Sequence, residues 1–389
     1  MKQNRWKILI SLLLAIGFLS LPFIPDEAGE NAPVFGEYSV SPLEFSDGFG
    51  VNAECAFLCD GTGNTVLLSQ NADKRHGMAS TTKIMTAVLA LELLETDREV
   101  VVTKDMVGVE GSSIYLSEGE SLTVMQLLYG LMLESGNDAA VALAIAGAGS
   151  VARFVYLMNA KAALLGLQDT HFENPHGLTA EGHYTTAREL GLLTCYALEN
   201  PVFRKIVSTY RFDIPYKGKE NGRVLVNHNP LLKRYGGMIG VKTGWTTADG
   251  KCFVTAAEKD GLTLVAVTLG DSNISATHRA LLDHGFANFA VVTPSVDSSP
   301  VLPLVGGTKE FVSLALGRLP CFCLPKGESV TARLEAPGFL YAGIKKGETA
   351  GRVVFLWNGK EIGETAVFVT EDTEVKKSSF LKRIFEKHG

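Results

Sequence analysis

The stretch AECAFLCDGTGNTVLLSQ (residues 53–70), followed by MASTTKIMTAVLALELLE (78–95), decides the fold. In the first segment two apolar, β-forming runs flank the turn-forming DGTGN, which predicts an antiparallel hairpin. In the second, Ile84, Met85, Val88 and Leu91 recur at helical spacing, and Ser80 or a neighbour opens the helix. A strand pair therefore leads into a helix that carries a hydroxyl at its N-terminus.

Outward from this point, helical periodicity continues through SLTVMQLLYGLMLESGNDAAVALAIAG, SVARFVYLMNAKAALLG and TTARELGLLTCYALEN. Strand patterns return in MIGVKTGW and in GKCFVTAAEKDGLTLVAVTLG, whose KDG marks a second hairpin, and a helix follows in ATHRALLDHGFANFA. Strands from both ends of the segment with helices between them predict an α/β (α+β) domain over residues 50–292, with an antiparallel sheet and a helical insert. VVTPSVDSSP marks a boundary, and a small β-rich domain with a turn at NGK is expected over 293–373.

The two ends read differently. Lys2, Arg5 and Lys7 precede the apolar run from Ile8, which Pro22 and Pro25 interrupt, so residues 1–28 are expected to be a signal peptide or an uncleaved anchor, with the bulk of the chain exported. Residues 29–49 are rich in Gly, Pro and Ser and read as a linker. The tail at 374–389 groups Phe380, Leu381, Ile384 and Phe385 among lysines and Arg383, which fits a membrane-surface helix or an ordinary amphipathic end.

With a net charge of −6, the chain has no broad basic footprint, which argues against a nucleic-acid partner. No cofactor or metal is expected: His171, His176 and His183 form no H-E-x-x-H, and Pro175 breaks any helix that would align the first two. Six cysteines in a chain this long are not a disulfide scaffold. Cys55 and Cys59 share a strand face but lie too far apart along it to bridge, Cys321 and Cys323 form a C-x-C, and most of the six are expected to be small core residues.

Three short motifs occur in order: S-x-x-K at Ser80–Lys83, S-G-N at Ser135–Asn137 and K-T-G at Lys242–Gly244. Each alone is weak, since Ser379–Lys382 is a second S-x-x-K and Ser69–Asn71 a second S-x-N. On a helix, residues three apart share a face, so Lys83 can reach the Ser80 hydroxyl. A serine needs such a base, and a lysine serves only when burial and a neighbouring cation, here Lys242, hold it deprotonated. Gly136, inside a helical stretch, argues for a turn presenting Ser135 and Asn137. Lys242 and Thr243 offer a cation and a hydroxyl to a carboxylate, and Gly244 allows close backbone approach.

MASTTKIMTA, SGNDAA, ENPHGL and GVKTGWT together resemble the low-molecular-mass D-Ala-D-Ala carboxypeptidases among the penicillin-binding proteins. The resemblance covers about residues 50–290 strongly and implies a β-lactamase/DD-peptidase-like fold. It implies that Ser80 is acylated by the penultimate D-Ala of a peptidoglycan stem peptide, that terminal D-Ala leaves and that water hydrolyses the acyl-enzyme. Lys83 is then the base, Ser135 the proton relay, Asn137 a substrate contact, Lys242 and Thr243 the carboxylate site, and the backbone N–H groups of Ser80 and Trp245 the oxyanion hole. β-Lactam antibiotics are implied as inhibitors, and the outer face of the cytoplasmic membrane as the place of work.

One departure is visible: LGDSNIS lacks the arginine that some relatives carry there, and Arg279 belongs to the following helix. Two rivals remain. A class A β-lactamase needs a glutamate in an E-x-x-L-N setting, which the Glu173–Asn174 pair does not supply. A catalytically silent peptidoglycan-binding homologue would keep the fold alone.

Overall fold

The computed structural model describes residues 38–216, 219–296 and 300–376. The expected signal or anchor and the tail beyond residue 376 lie outside the described residues.

Strands β1 (Tyr38–Val40) and β2 (Leu43–Glu44) come first, then the predicted hairpin of β3 (Ala53–Asp60) and β4 (Thr65–Gln70). A 3₁₀ turn at Ala79–Thr82 runs into helix α1 (Lys83–Leu93), and the short pair β5 (Glu99–Val101) and β6 (Ser121–Thr123) follows. The helical insert continues with α2 (Val124–Leu133), α3 (Asn137–Ala148), α4 (Val151–Leu164), α5 (Ala187–Glu199) and α6 (Pro201–Ser208), then the hairpin of β7 (Arg211–Tyr216) and β8 (Lys219–Val226). The chain returns to the sheet through β9 (Met238–Thr246), β10 (Gly250–Lys259) and β11 (Leu262–Asp271), and α7 (Ile274–Asn288) closes the domain.

The resulting six-stranded sheet has the order β2-β4-β3-β11-β10-β9, so β9, which carries K-T-G, is an edge strand. Side-chain alternation along the central β3 divides two cores. Cys55, Phe57 and Cys59 face the helical insert, whereas Ala56 and Leu58 face α7 with Leu281 and Leu282. Burial on both faces explains why β3 reads as a nearly continuous apolar run.

Beyond α7, β12 (Phe289–Val292), β13 (Val301–Val305), β14 (Phe311–Leu316), β15 (Phe322–Pro325), β16 (Thr331–Glu335), β17 (Leu340–Tyr341), β18 (Thr349–Trp357) and β19 (Lys360–Val369) form the β-rich C-terminal part. β18 and β19 meet at the predicted NGK turn. β12 pairs with β15, so the C-terminal part reaches back across the boundary expected near residue 293.

Residues 38–44 correct the linker reading. β1 joins the C-terminal sheet through Tyr38↔Thr365, and β2 lies parallel to β4 through Leu43↔Thr65. Runs of three and two strand residues are too short for a period of two to register in the sequence.

His278 on α7 is fully buried between Thr255 Oγ1 (2.8 Å) on β10 and Thr268 Oγ1 (2.9 Å) on β11. Burial pulls its pKa down to about 3. Because the folded value lies below the unfolded value near 6.5, protons bind the unfolded chain first as pH falls through 6.5, and stability drops until pH passes the folded value. This group alone removes about 1.4 kcal/mol per pH unit in that window. Thermal unfolding midpoints measured from pH 7 to 5 are expected to fall steeply, and less steeply in His278→Gln.

Candidate active site

Ser80 sits in the 3₁₀ turn that feeds α1, and no side chain caps this turn, so the serine is not merely an N-cap. The turn holds its residues in an unusual backbone. Ala79 has φ 45°, a left-handed value that a Cβ-bearing residue adopts only when its surroundings impose it. The Asp249 carboxylate accepts the Ala79 N–H at 3.2 Å, and Thr82 Oγ1 donates to the Ala79 carbonyl at 2.8 Å. Thr82 in turn meets His183 Nε2 at 2.7 Å, while His183 Nδ1 accepts the Glu173 N–H at 3.0 Å. With Nδ1 accepting, the proton of this ring sits on Nε2, and burial keeps the ring neutral with a pKa near 4.

One turn on, Lys83 is completely buried. Its Nζ lies 2.9 Å from Ser80 Oγ, 2.7 Å from Asn137 Oδ1 and 2.5 Å from the His176 carbonyl oxygen. Burial first, and the charge of Lys242 second, push its pKa well below the ordinary lysine value, with Asp138 opposing. A neutral amine has two N–H groups and one lone pair. Asn137 Oδ1 and the His176 carbonyl can only accept, so they take the two N–H groups and the lone pair is left facing the Ser80 hydroxyl.

Asn137 opens α3, and its Nδ2 donates to the Glu110 carbonyl at 2.5 Å. The next residue, Asp138, is a buried anchor that the motif reading did not single out. It accepts from Ser113 Oγ (2.6 Å) and from the Ile114 (3.0 Å) and Leu116 (3.0 Å) N–H groups, which folds the 110–117 loop over the site.

Ser135 is buried with φ 60° in the turn between α2 and α3. Its hydroxyl is not among the three partners of Lys83, so the structure brings Asn137, and not Ser135, into the hydrogen-bonded set around the nucleophile.

On β9, Lys242 is 2 % exposed, and its Nζ donates to the Thr243 carbonyl at 2.8 Å. Burial brings its pKa down to about 7 against the opposing pull of Glu134. Gly244, on the same strand face, packs directly on the nucleophile turn: a Cβ there would stand 2.9 Å from Ser80 N and 3.1 Å from Thr81 N. Its smallness serves this contact as well as any approach by substrate.

The cleft above these groups has a volume of ≈ 530 Å³, with Ser80, Asn137, Gly111, Leu178, Trp245 and Thr246 among its walls. Trp245 is 64 % exposed along it. ENPHGL forms the opposite rim: Asn174 Oδ1 accepts the Gly177 N–H (2.7 Å), Asn174 Nδ2 donates to the Leu178 carbonyl (2.9 Å), and His176 Nδ1 accepts the Leu178 N–H (3.2 Å). His176 thus orders this loop, and its carbonyl also reaches Lys83. Glu173 is exposed, pairs with His171 and does not line the cleft. Arg279 donates to the Arg234 carbonyl (3.2 Å) and lies over the Tyr235 ring, so it belongs to α7.

A hydroxyl facing the lone pair of a buried lysine, beneath an edge strand and an open cleft, defines an enzyme of the serine acyl-transfer class. The comparisons give the family. The model of the S11 peptidases, described as D-alanyl-D-alanine carboxypeptidase, matches residues 43–273. The D-alanyl-D-alanine carboxypeptidase DacF of Bacillus subtilis is 32 % identical over 342 residues, covering 85 % of this chain and 87 % of that protein. DacA of Escherichia coli is 31 % identical over 359 residues, with 86 % and 87 % covered. Among solved structures, penicillin binding protein 5 from Haemophilus influenzae matches with a TM-score of 0.72 and 28 % identity over 85 % of this chain and all of that one. The chain belongs to the serine D-alanyl-D-alanine carboxypeptidase family, and both the mixed fold and the carboxypeptidase activity expected from the sequence hold.

Proposed function

We propose that Ser80 attacks the penultimate D-Ala carbonyl of a peptidoglycan stem pentapeptide and that β-lactams acylate the same oxygen. The observation that carries this is the 2.9 Å contact between Ser80 Oγ and a Lys83 Nζ whose two N–H groups are already engaged. Lys83 takes the hydroxyl proton as the Oγ–C bond forms and returns it to the leaving D-Ala nitrogen as the C–N bond breaks. Water then attacks the ester by the same route. The N–H groups of Ser80 and Trp245 face the oxyanion, a reading supported by the place of both residues in the cleft wall. Lys242 and Thr243 hold the terminal carboxylate, and Asn137 contacts the peptide. Ser135 acts as a relay only if substrate draws its hydroxyl toward the two lysines. The basic and apolar residues 1–28 support export and work at the outer face of the cytoplasmic membrane.

Intact-protein mass spectrometry after incubation with penicillin tests the reading. The expected result is a lasting stoichiometric adduct that maps to the peptide containing Ser80. Penicillin consumed without an adduct means a β-lactamase, and neither adduct nor turnover means a silent binding protein.

The buried Lys242 gives a pH signature. Carboxylate binding needs its ammonium form, so kcat/KM should fall about tenfold per pH unit above an apparent pKa of about 7. Lys242→Arg, which stays charged, is expected to lower activity overall but to move this alkaline limb upward in a pH–rate profile.

A further inference from the structure

On the far side of β3 from α7, two thiols that the catalytic reading leaves unused stand together. Cys59 Sγ on β3 and Cys195 Sγ on α5 are 3.7 Å apart, although 136 positions separate them in sequence. Cys195 Sγ also lies 3.5 Å from the Asp60 carbonyl, which can only accept, so the Cys195 thiol donates there and the Cys59 thiol donates to Cys195. A buried pair of this kind is inert unless a reagent can reach it. Here one can: Cys195 lines a cavity of ≈ 320 Å³ together with Asp60, Arg204, Cys321 and Cys323.

We propose that Cys59 and Cys195 are a site of oxidative modification, in which a peroxide entering through this cavity joins them as a disulfide that ties the central strand to α5. Cys195 sulfur attacks one peroxide oxygen, the O–O bond breaks, and the second oxygen leaves as water after taking the thiol proton. Cys59 sulfur then attacks the Cys195 sulfenic sulfur, the S–O bond breaks, and a second water leaves. Two thiols are oxidised, one peroxide is reduced to two waters, and the balance closes.

The link closes a long loop of the chain without touching the cleft, so it should raise the unfolding midpoint by about 5 °C and leave kcat/KM within about twofold. The test is treatment of the reduced full chain with hydrogen peroxide, followed by mass measurement and a non-reducing peptide map. The expected product is two hydrogens lighter, with Cys59 and Cys195 peptides linked. The link disappears in Cys195→Ser, and Cys59→Ser yields a dimedone-trapped sulfenic acid at Cys195. A link from Cys195 to Cys321 or Cys323, over-oxidation of Cys195 in the unchanged chain, or a Cys195 that peroxide leaves untouched each overturns the proposal. The map of the unchanged chain decides the matter even if a variant fails to fold.

Discussion

Lys83→Met is expected to lower the rate of acyl-enzyme formation by roughly 10⁴-fold, and Ser80→Ala, which lacks the oxygen that is acylated, is expected to form no acyl-enzyme at all. The two groups act as a unit. Without Lys83 the oxygens that surround its Nζ, Asn137 Oδ1 and the His176 carbonyl, are far too weakly basic to take the Ser80 proton. Without Ser80 the amine has nothing to deprotonate. Stopped-flow acylation with a chromogenic β-lactam measures the rate directly. A Lys83→Met acylation rate within about tenfold of the parent's would mean that another base serves Ser80.

The same variant separates chemistry from stability. Lys83 has a folded pKa far below its unfolded value near 10.4, so between the two the unfolded chain holds a proton that the folded chain lacks, and stability rises with pH across that window. Lys83→Met removes the slope. It is expected to unfold at a higher temperature than the parent at pH 7, as befits a site whose function costs stability.

Gly177→Ala is expected to reduce kcat/KM by about 100-fold or more and to destabilise the fold by about 3 kcal/mol. Gly177 has φ +91°, and a Cβ there would stand 1.9 Å from the Ala79 carbonyl oxygen and 2.9 Å from Thr82 Oγ1. The atoms struck are the backbone of the nucleophile turn, which is already held in a left-handed conformation at Ala79. Relief requires moving Ser80 or the ENPHGL loop, and the loop carries the His176 carbonyl that binds Lys83. Gly166→Ala is the control. It has φ +74° and open space around it, so it should lose only the conformational part, about 1 kcal/mol, with unchanged kinetics. Equal kinetic losses in both variants would show that the clash with the turn is not the cause.

What could be read in advance follows the range of each interaction. Ser80 and Lys83 are neighbours on one helical face, so their contact is written in local spacing, as are the hairpins at DGTGN, KDG and NGK. K-T-G is legible as an edge-strand motif because alternation places Lys242 and Gly244 on one face. The supports are not legible in this way. Asp249 holds Ala79 from 170 positions away, and His183 reaches Thr82 from 101. No periodicity encodes such pairings. ENPHGL was readable as a mark of the family, but the part of it that reaches Lys83 is a carbonyl oxygen, which every residue has. Ser135 shows the converse. The motif names the residue, but its φ of 60° and the geometry around Lys83 leave its hydroxyl out of the set that Asn137 joins.

The pairing of β1 with β19 has a mechanical consequence. Tyr38 enters the described chain against Thr365, and Val375 bridges Gly307 near its other end, so both ends of the described chain lie against the C-terminal part. Tension applied between them is carried by the β1–β19 ladder and the strands beside it. The segment bearing Ser80, Lys83 and Lys242 is a closed excursion off that line, and a pull on the ends loads the C-terminal sheet while the catalytic turn stays slack.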